Sequence, residues 1–146
     1  MGSLMQGEFT PKNPRKYIGT NINSITYRSS WELSFMSVCD NHPSILQWAS
    51  ECIWISYKHP LSGKWTKYKP DFFVVYVDAG NNQHAEMIEI KPEKEMPGYP
   101  GKVDKNTKLV QSVNAAKWAA AIAFCKQRGW KFRVANEKNL FAFKPR

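Results

Sequence analysis

The chain has 146 residues, and 21 Lys and Arg against 12 Asp and Glu give a formal charge of +9. At this length one core can bury roughly two-thirds of the surface of the unfolded chain, so folding requires neither disulfides nor a structural metal. With 42% apolar and 14% aromatic residues the chain is not a disordered basic tail. No apolar run approaches the ~20 residues that span a bilayer, the N-terminus lacks an apolar signal region, and the positive excess asks for a polyanionic partner.

The opening MGSL reads as a cloning remnant ahead of Met5. Residues 5–28 hold Pro11, Pro14 and Gly19 without sustained periodicity and read as a basic arm over the surface. The arm is residues 1–28, and 29–146 form a single domain. Trp31 to Asp40 has apolar residues at helical spacing. Ser29 is its N-cap, Glu32 completes a capping-box pattern, and His42-Pro43 ends it. Cys52 to Tyr57 reads as a strand, His59 to Gly63 turns the chain, and a second strand runs from Trp65 to Val77 with a break at Pro70. Asp78 to Asn82 is a hairpin turn into a third strand, His84 to Lys91. After a loop over 92–106, the longest helix runs from Thr107 to Arg128, with Gly129 as its C′ residue. Lys131 to Val134 is a fourth strand and Leu140 to Phe143 a fifth. The order predicts an α/β fold. Its central mixed sheet is an antiparallel meander of the first three strands plus a crossover strand after the long helix, with helices on both faces.

The charges are segregated. Lys58, Lys64, Lys67 and Lys69 fall within 58–69 without an acid, whereas residues 31–57 and 71–90 contain acids and no Lys or Arg. A phosphate-binding rim around an acidic, cation-binding centre fits this pattern, as do solvated faces that alternate in sign. Three cysteines, an odd number without C-x-x-C spacing, read as reduced thiols of an intracellular protein. Cys39 with His42, and Cys52 with His59, do not assemble the four ligands of a zinc site.

Asp71 opens the apolar run Phe72 to Val77, where an unpaired carboxylate costs several kcal/mol of desolvation unless a cation or donors meet it. In the third strand Glu89 and Lys91 share a face. The hairpin between the two strands can bring Asp71 beside Glu89. Two carboxylates at a strand end suit Mg²⁺, which needs only one or two of them and completes its octahedron with waters and phosphate oxygens. Lys91 can then reach the same phosphate or orient the attacking water. The chemistry this set suits is metal-assisted phosphodiester hydrolysis. A turn residue at Asp71, and a cross-strand ion pair of Glu89 with Lys91, are the structural alternatives.

Pro70-Asp71 with Glu89-Ile90-Lys91 resembles the PD-(D/E)xK signature of the restriction-endonuclease-like nuclease superfamily. The wider pattern is similar to the head-completion nucleases of T-even-like tailed phages. It is carried by Arg15-Lys16-Tyr17-Ile18-Gly19, Tyr27-Arg28-Ser29-Ser30-Trp31-Glu32, Trp48-Ala49-Ser50-Glu51, Tyr68-Lys69-Pro70-Asp71-Phe72, Ile88-Glu89-Ile90-Lys91-Pro92 and Ala115-Ala116-Lys117-Trp118-Ala119-Ala120. The resemblance implies a restriction-endonuclease-like core and a Mg²⁺-dependent endodeoxyribonuclease, with Mn²⁺ able to substitute. It makes Asp71, Glu89, Lys91 and Glu32 catalytic, and Asp71, Glu89, Glu32 and the Ile90 carbonyl the metal ligands, with Glu51 a further candidate. It also implies DNA as substrate, portal or neck proteins and a second copy as candidate partners, and the host cytoplasm or virion head as location.

Glu32 has a competing use in the capping box, although it lines up with Phe35, Met36 and Cys39 and so aims inward. Glu86 faces away from Glu89 and reads as a surface acid. Arg15, Lys16, Arg28, Lys64, Lys67, Lys69 and Lys108 are candidates for phosphate contact, and Gln111 and Lys117 for contact with the scissile strand. Lys102, Lys105 and Lys108, with Tyr99, read as a mobile loop that closes on DNA. Trp31, Trp54 and Trp118 read as core, which leaves Trp65 as the tryptophan to test for base stacking. The competing function is a non-catalytic DNA-binding head-completion protein on the same fold. A basic RNA-binding module is a weaker one, since no aromatic-basic motif of the RNA-binding sheets is present.

Overall fold

Local sequence sets the elements. The computed structural model describes residues 6–136 and 138–139, so the strand expected over Leu140 to Phe143 lies outside it. Helix α1 covers Ser30–Asn41; Ser29 caps it by accepting the Glu32 N–H at 3.1 Å. Helix α2 covers Lys105–Gln127, capped by Asp104, which accepts the Thr107 N–H at 2.8 Å. It ends where Gly129 takes a φ of +72°, a conformation that costs glycine little. The strands are β1 (Gly7–Phe9), β2 (Ile25–Tyr27), β3 (Ile45–Ser50), β4 (Ile55–Lys58), β5 (Trp65–Tyr68), β6 (Phe72–Val77), β7 (Gln83–Ile90) and β8 (Lys131–Ala135).

The central sheet has the order β3-β6-β7-β8. Its first three strands pair antiparallel, and β8 lies parallel to β7 after the α2 crossover, as a parallel neighbour requires. On one face Trp48, Phe72, Val74, Ile88 and Ile90 pack against Phe35, Met36 and Cys39 of α1. On the other, Phe73, Val75 and Met87 pack against Ala121 and Cys125 of α2. The expected mixed sheet with a helix on each face is the observed one.

Three of the strand expectations change. The strand predicted from Trp65 to Val77 is two strands in different sheets: β5 forms a separate antiparallel ribbon with β4, and Pro70, which has no N–H to continue a ladder, marks the crossing. The strand predicted from Cys52 begins only at Ile55 and belongs to that ribbon. The meander's first strand is instead β3, whose alternation is interrupted by an irregularity between Ile45 and Gln47.

Residues 6–28, read from the sequence as a basic arm over the surface, pack into the domain. Their β1 and β2 pair with each other, and Ile25 and Tyr17 are buried in the α1-side core. The Tyr17 ring meets Trp48 edge-on at 4.7 Å, and its hydroxyl accepts the Ser50 N–H at 3.0 Å. The buried Asp40 carboxylate accepts the backbone N–H groups of Lys12 at 2.8 Å and Asn13 at 3.0 Å. The Lys16 ammonium donates to the carbonyls of Asp40 and His42, at 3.0 and 2.9 Å.

Candidate active site

The site forms where β6 begins and β7 ends. Phe72 faces Ile88 in their antiparallel register, so continuing that ladder by one residue sets Asp71 opposite Glu89. Directly opposed side chains in such a pair stand with Cβ atoms ~5 Å apart. Parity turns both toward α2, because their neighbours Phe72 and Ile88 belong to the α1-side core. Asp71 Oδ2 accepts the Ile90 N–H at 2.7 Å. Glu89 is 2% exposed, and its Oε2 accepts the indole N–H of Trp118 at 2.8 Å.

Burial raises the proton affinity of Asp71, and the charge of Glu89 raises it further; the Ile90 N–H and Lys91 work against this. Glu89 is likewise raised by burial, opposed by Trp118, Lys91 and Lys117. An edge of Asp71 still reaches solvent although protein rings it. Two carboxylates facing each other in this setting relieve their repulsion by sharing a proton or by taking up a cation, and paired oxygen donors of this kind suit a hard divalent ion. Among the described residues no three His, Cys, Asp or Glu side chains gather closely enough to hold an ion by themselves. A metal here would therefore rest on the Asp71 and Glu89 pair, with water and phosphate oxygens filling the other positions.

Glu32, in the first turn of α1, has its own raised proton affinity, mainly from burial. Its Oε1 accepts the Arg28 N–H at 3.1 Å, which closes the turn reciprocally to the Ser29 cap. Glu32 thus serves the cap and also lines a recess of about 150 Å³ with Ile90, Lys91, Arg28 and Pro92. Glu51 follows β3 with a φ of +48°, a strained conformation for a residue with a Cβ. Its N–H donates to the Asp71 carbonyl at 3.0 Å and its carboxylate pairs with Arg28 at 2.9 Å. Arg28 therefore bridges the two outlying acids.

On the α2 side, Lys117 lies beside the carboxylate pair. Burial lowers its proton affinity and Lys91 lowers it further, while Glu89 and Asp71 raise it. Its ammonium stands 5.2 Å from the ring centre of Tyr68, whose hydroxyl is pushed up by burial and by Glu89 and Asp71.

The remaining predicted contacts divide. Lys64, Lys67 and Lys69 line the β4–β5 ribbon, and Arg15 and Lys108 are exposed. Lys16 is spent on the carbonyls at the C-terminal end of α1. Gln111 donates to the Lys94 carbonyl at 2.7 Å, and Asn114 to that of Glu95 at 3.0 Å, so the start of the loop expected to be mobile is tied to α2. Glu86 is 5% exposed rather than a surface acid: the strand pattern turns it inward, where Arg133 approaches it at 3.6 Å. Trp118 is buried as expected, but its bond to Glu89 was not legible from helical spacing. A general rule pointed to it, since a buried indole N–H finds an acceptor. Trp54, read as core, is 52% exposed, because in the alternation it shares a face with Ser56 and Lys58.

A mixed sheet sandwiched between helices, with opposed carboxylates at the ends of an antiparallel strand pair and a lysine two residues on, defines an endonuclease of the restriction-endonuclease-like fold. The chain belongs to the TnsA-like endonuclease N-terminal family, which matches residues 42–137. It is also 37% identical over 145 residues to the head completion nuclease of Enterobacteria phage T4, covering 93% of each chain. The family match spans Asp71, Glu89, Lys91 and Lys117; Glu32 and the N-terminal segment precede it.

Proposed function

We propose that this chain is a Mg²⁺-dependent DNA endonuclease that acts in phage head completion or DNA packaging, in the host cytoplasm or at the virion head. The observation that carries the reading is the opposition of a half-buried Asp71 and a buried Glu89 across the β6–β7 pair, with Lys91 emerging beside them. The likeness to a head completion nuclease supports the setting. Asp71, Glu89 and the Ile90 carbonyl would hold the ion, with Glu32 at the edge of the recess; when bound, it supplies Lewis-acid polarisation of the phosphoryl group and activation of water.

The chain's own residues do the rest. Trp118 fixes the rotamer of Glu89, and the Ile90 N–H fixes that of Asp71. Lys91 and Lys117 supply two cations against the charge that builds on phosphate in the transition state. Arg28 pairs with Glu51 and so offsets its negative charge.

Purified protein should cut DNA with Mg²⁺ or Mn²⁺ and not with EDTA or Ca²⁺. Asp71→Ala and Glu89→Ala should reduce cutting below detection, and Lys91→Ala by on the order of 10²–10³-fold. Full activity of the Asp71 variant would sink the assignment. DNA binding without any metal-dependent cutting would leave the non-catalytic head-completion role in its place.

A further inference from the structure

The β4–β5 ribbon has two unlike faces. Ile55 and Tyr68 are paired across it and turn toward α2, where Ile55 joins the core and the Tyr68 hydroxyl lies 3.4 Å from the Lys117 carbonyl. The outer face follows from the same register. Ser56 pairs with Lys67 and Lys58 with Trp65, and extending the ladder by one residue sets Trp54 opposite Lys69. That face carries a tryptophan opposite a lysine at each end and Lys67 between them, and the whole segment 58–69 contains no acid.

Trp54 is 52% exposed and Trp65 72% exposed. The ammonium groups of Lys67 and Lys69 lie 4.8 and 4.6 Å from the centre of the Trp54 ring. Trp54 also divides two recesses. One is an apolar groove of about 600 Å³ against α2, which Trp65 shares; the other is a polar recess shared with Arg28, Glu51 and Lys69. Lys69 is two residues before Asp71, so the ribbon leads directly into the site.

We propose that this outer face is a platform for an unpaired stretch of DNA strand, with a base stacked on Trp54 and its flanking phosphates held by Lys67 and Lys69. The proposal rests on the nuclease reading and names the feature of the substrate that the site selects. Stacking on an aromatic ring accepts any base, because every base has a π face, and lysines spaced along the ribbon follow the backbone charge. In the free protein the two ammonium groups cover the ring. Moving them onto phosphates exposes it, so phosphate capture and base stacking are coupled in one flexible pair of side chains. A duplex offers only the phosphates, and its stacked bases leave the ring unused. The platform therefore favours DNA with an overhang, gap or branch.

The test is equilibrium binding in EDTA, where no cleavage occurs, of a fluorescein-labelled oligo(dT) and of a blunt duplex of equal length, followed by anisotropy. The wild-type chain should bind oligo(dT), and Trp54→Ala should weaken this about tenfold, the order expected for loss of one base–aromatic stack. Trp54→Phe should restore most of it, and duplex affinity should change less than twofold in both variants. An Ala variant that binds oligo(dT) like the wild type, or that loses equally on oligo(dT) and duplex, overturns the proposal. Because binding in EDTA is independent of cutting, a chain that shows the Trp54 effect but never cleaves keeps the platform and loses the nuclease reading. A chain that cleaves without the effect does the reverse.

Discussion

Trp118 shows how one buried hydrogen bond can matter beyond packing. Its indole spans from α2 to Glu89, and the N–H has a single carboxylate oxygen as its acceptor. Trp118→Phe keeps an aromatic ring but removes the N–H donor together with part of the indole, so Glu89 gains rotational freedom next to a carboxylate that repels it. Partners that orient a ligating carboxylate typically contribute 10–100-fold. Metal-dependent cleavage by Trp118→Phe should therefore fall by about that factor under conditions where the variant is fully folded, with the urea midpoint lowered by the void the smaller ring leaves. Asp40 is the contrasting case: a buried carboxylate far from the chemistry that holds the N-terminal segment through the Lys12 and Asn13 N–H groups. Hydrogen bonds to a charged group contribute ~1.5–3 kcal/mol each. Asp40→Ala should lose about 3–6 kcal/mol in chemical denaturation, and protection of the 12–13 amides from hydrogen exchange should drop with it.

At the scale of elements, the hairpin and the long helix follow from local chemistry, and the division of the 65–77 segment does not. Asp78 to Asn82 turns the chain between β6 and β7, with Asp78 Oδ1 accepting the Asn82 N–H at 2.9 Å and Asn81 at a φ of +64°. Gly129 ends α2 in the same left-handed region, and a Cβ there would meet nothing within 4 Å. Gly129→Ala therefore isolates backbone strain, and its expected cost is about 1–2 kcal/mol, measured as a lower urea midpoint with unchanged cleavage. Pro70 was legible as a break, but not that the chain there leaves the ribbon and enters the central sheet. β3 is not legible as a strand because its exposure pattern is not a clean alternation: Leu46 and Gln47 are both exposed, and its last three residues are all buried. Trp54 went the other way, since hydrophobicity placed it in the core while strand parity places it with Ser56 and Lys58.

For the whole molecule, the +9 charge resolves into unequal uses. Lys16 caps carbonyls, Arg28 and Lys138 pair with Glu51 and Glu93, and Arg133 approaches Glu86. The lysines of the ribbon remain directed outward beside the carboxylate pair. If about six phosphates are neutralised, binding in EDTA should weaken on the order of 10³-fold between 50 and 200 mM salt; a nearly flat dependence would mean that the basic rim is not a DNA surface.

By itself the sequence determined the class of fold, the strand-ending carboxylates and the lysine beside them. Alternation, turn chemistry and helix capping are short-range and act within a few residues. Only the tertiary structure decided that Tyr17 and Ile25 belong to the core, that Glu86 is buried, that Trp118 holds Glu89 and that Trp54 faces solvent. Each of these depends on which element packs opposite, and that choice is made by burial summed over the whole sheet rather than by any local pattern.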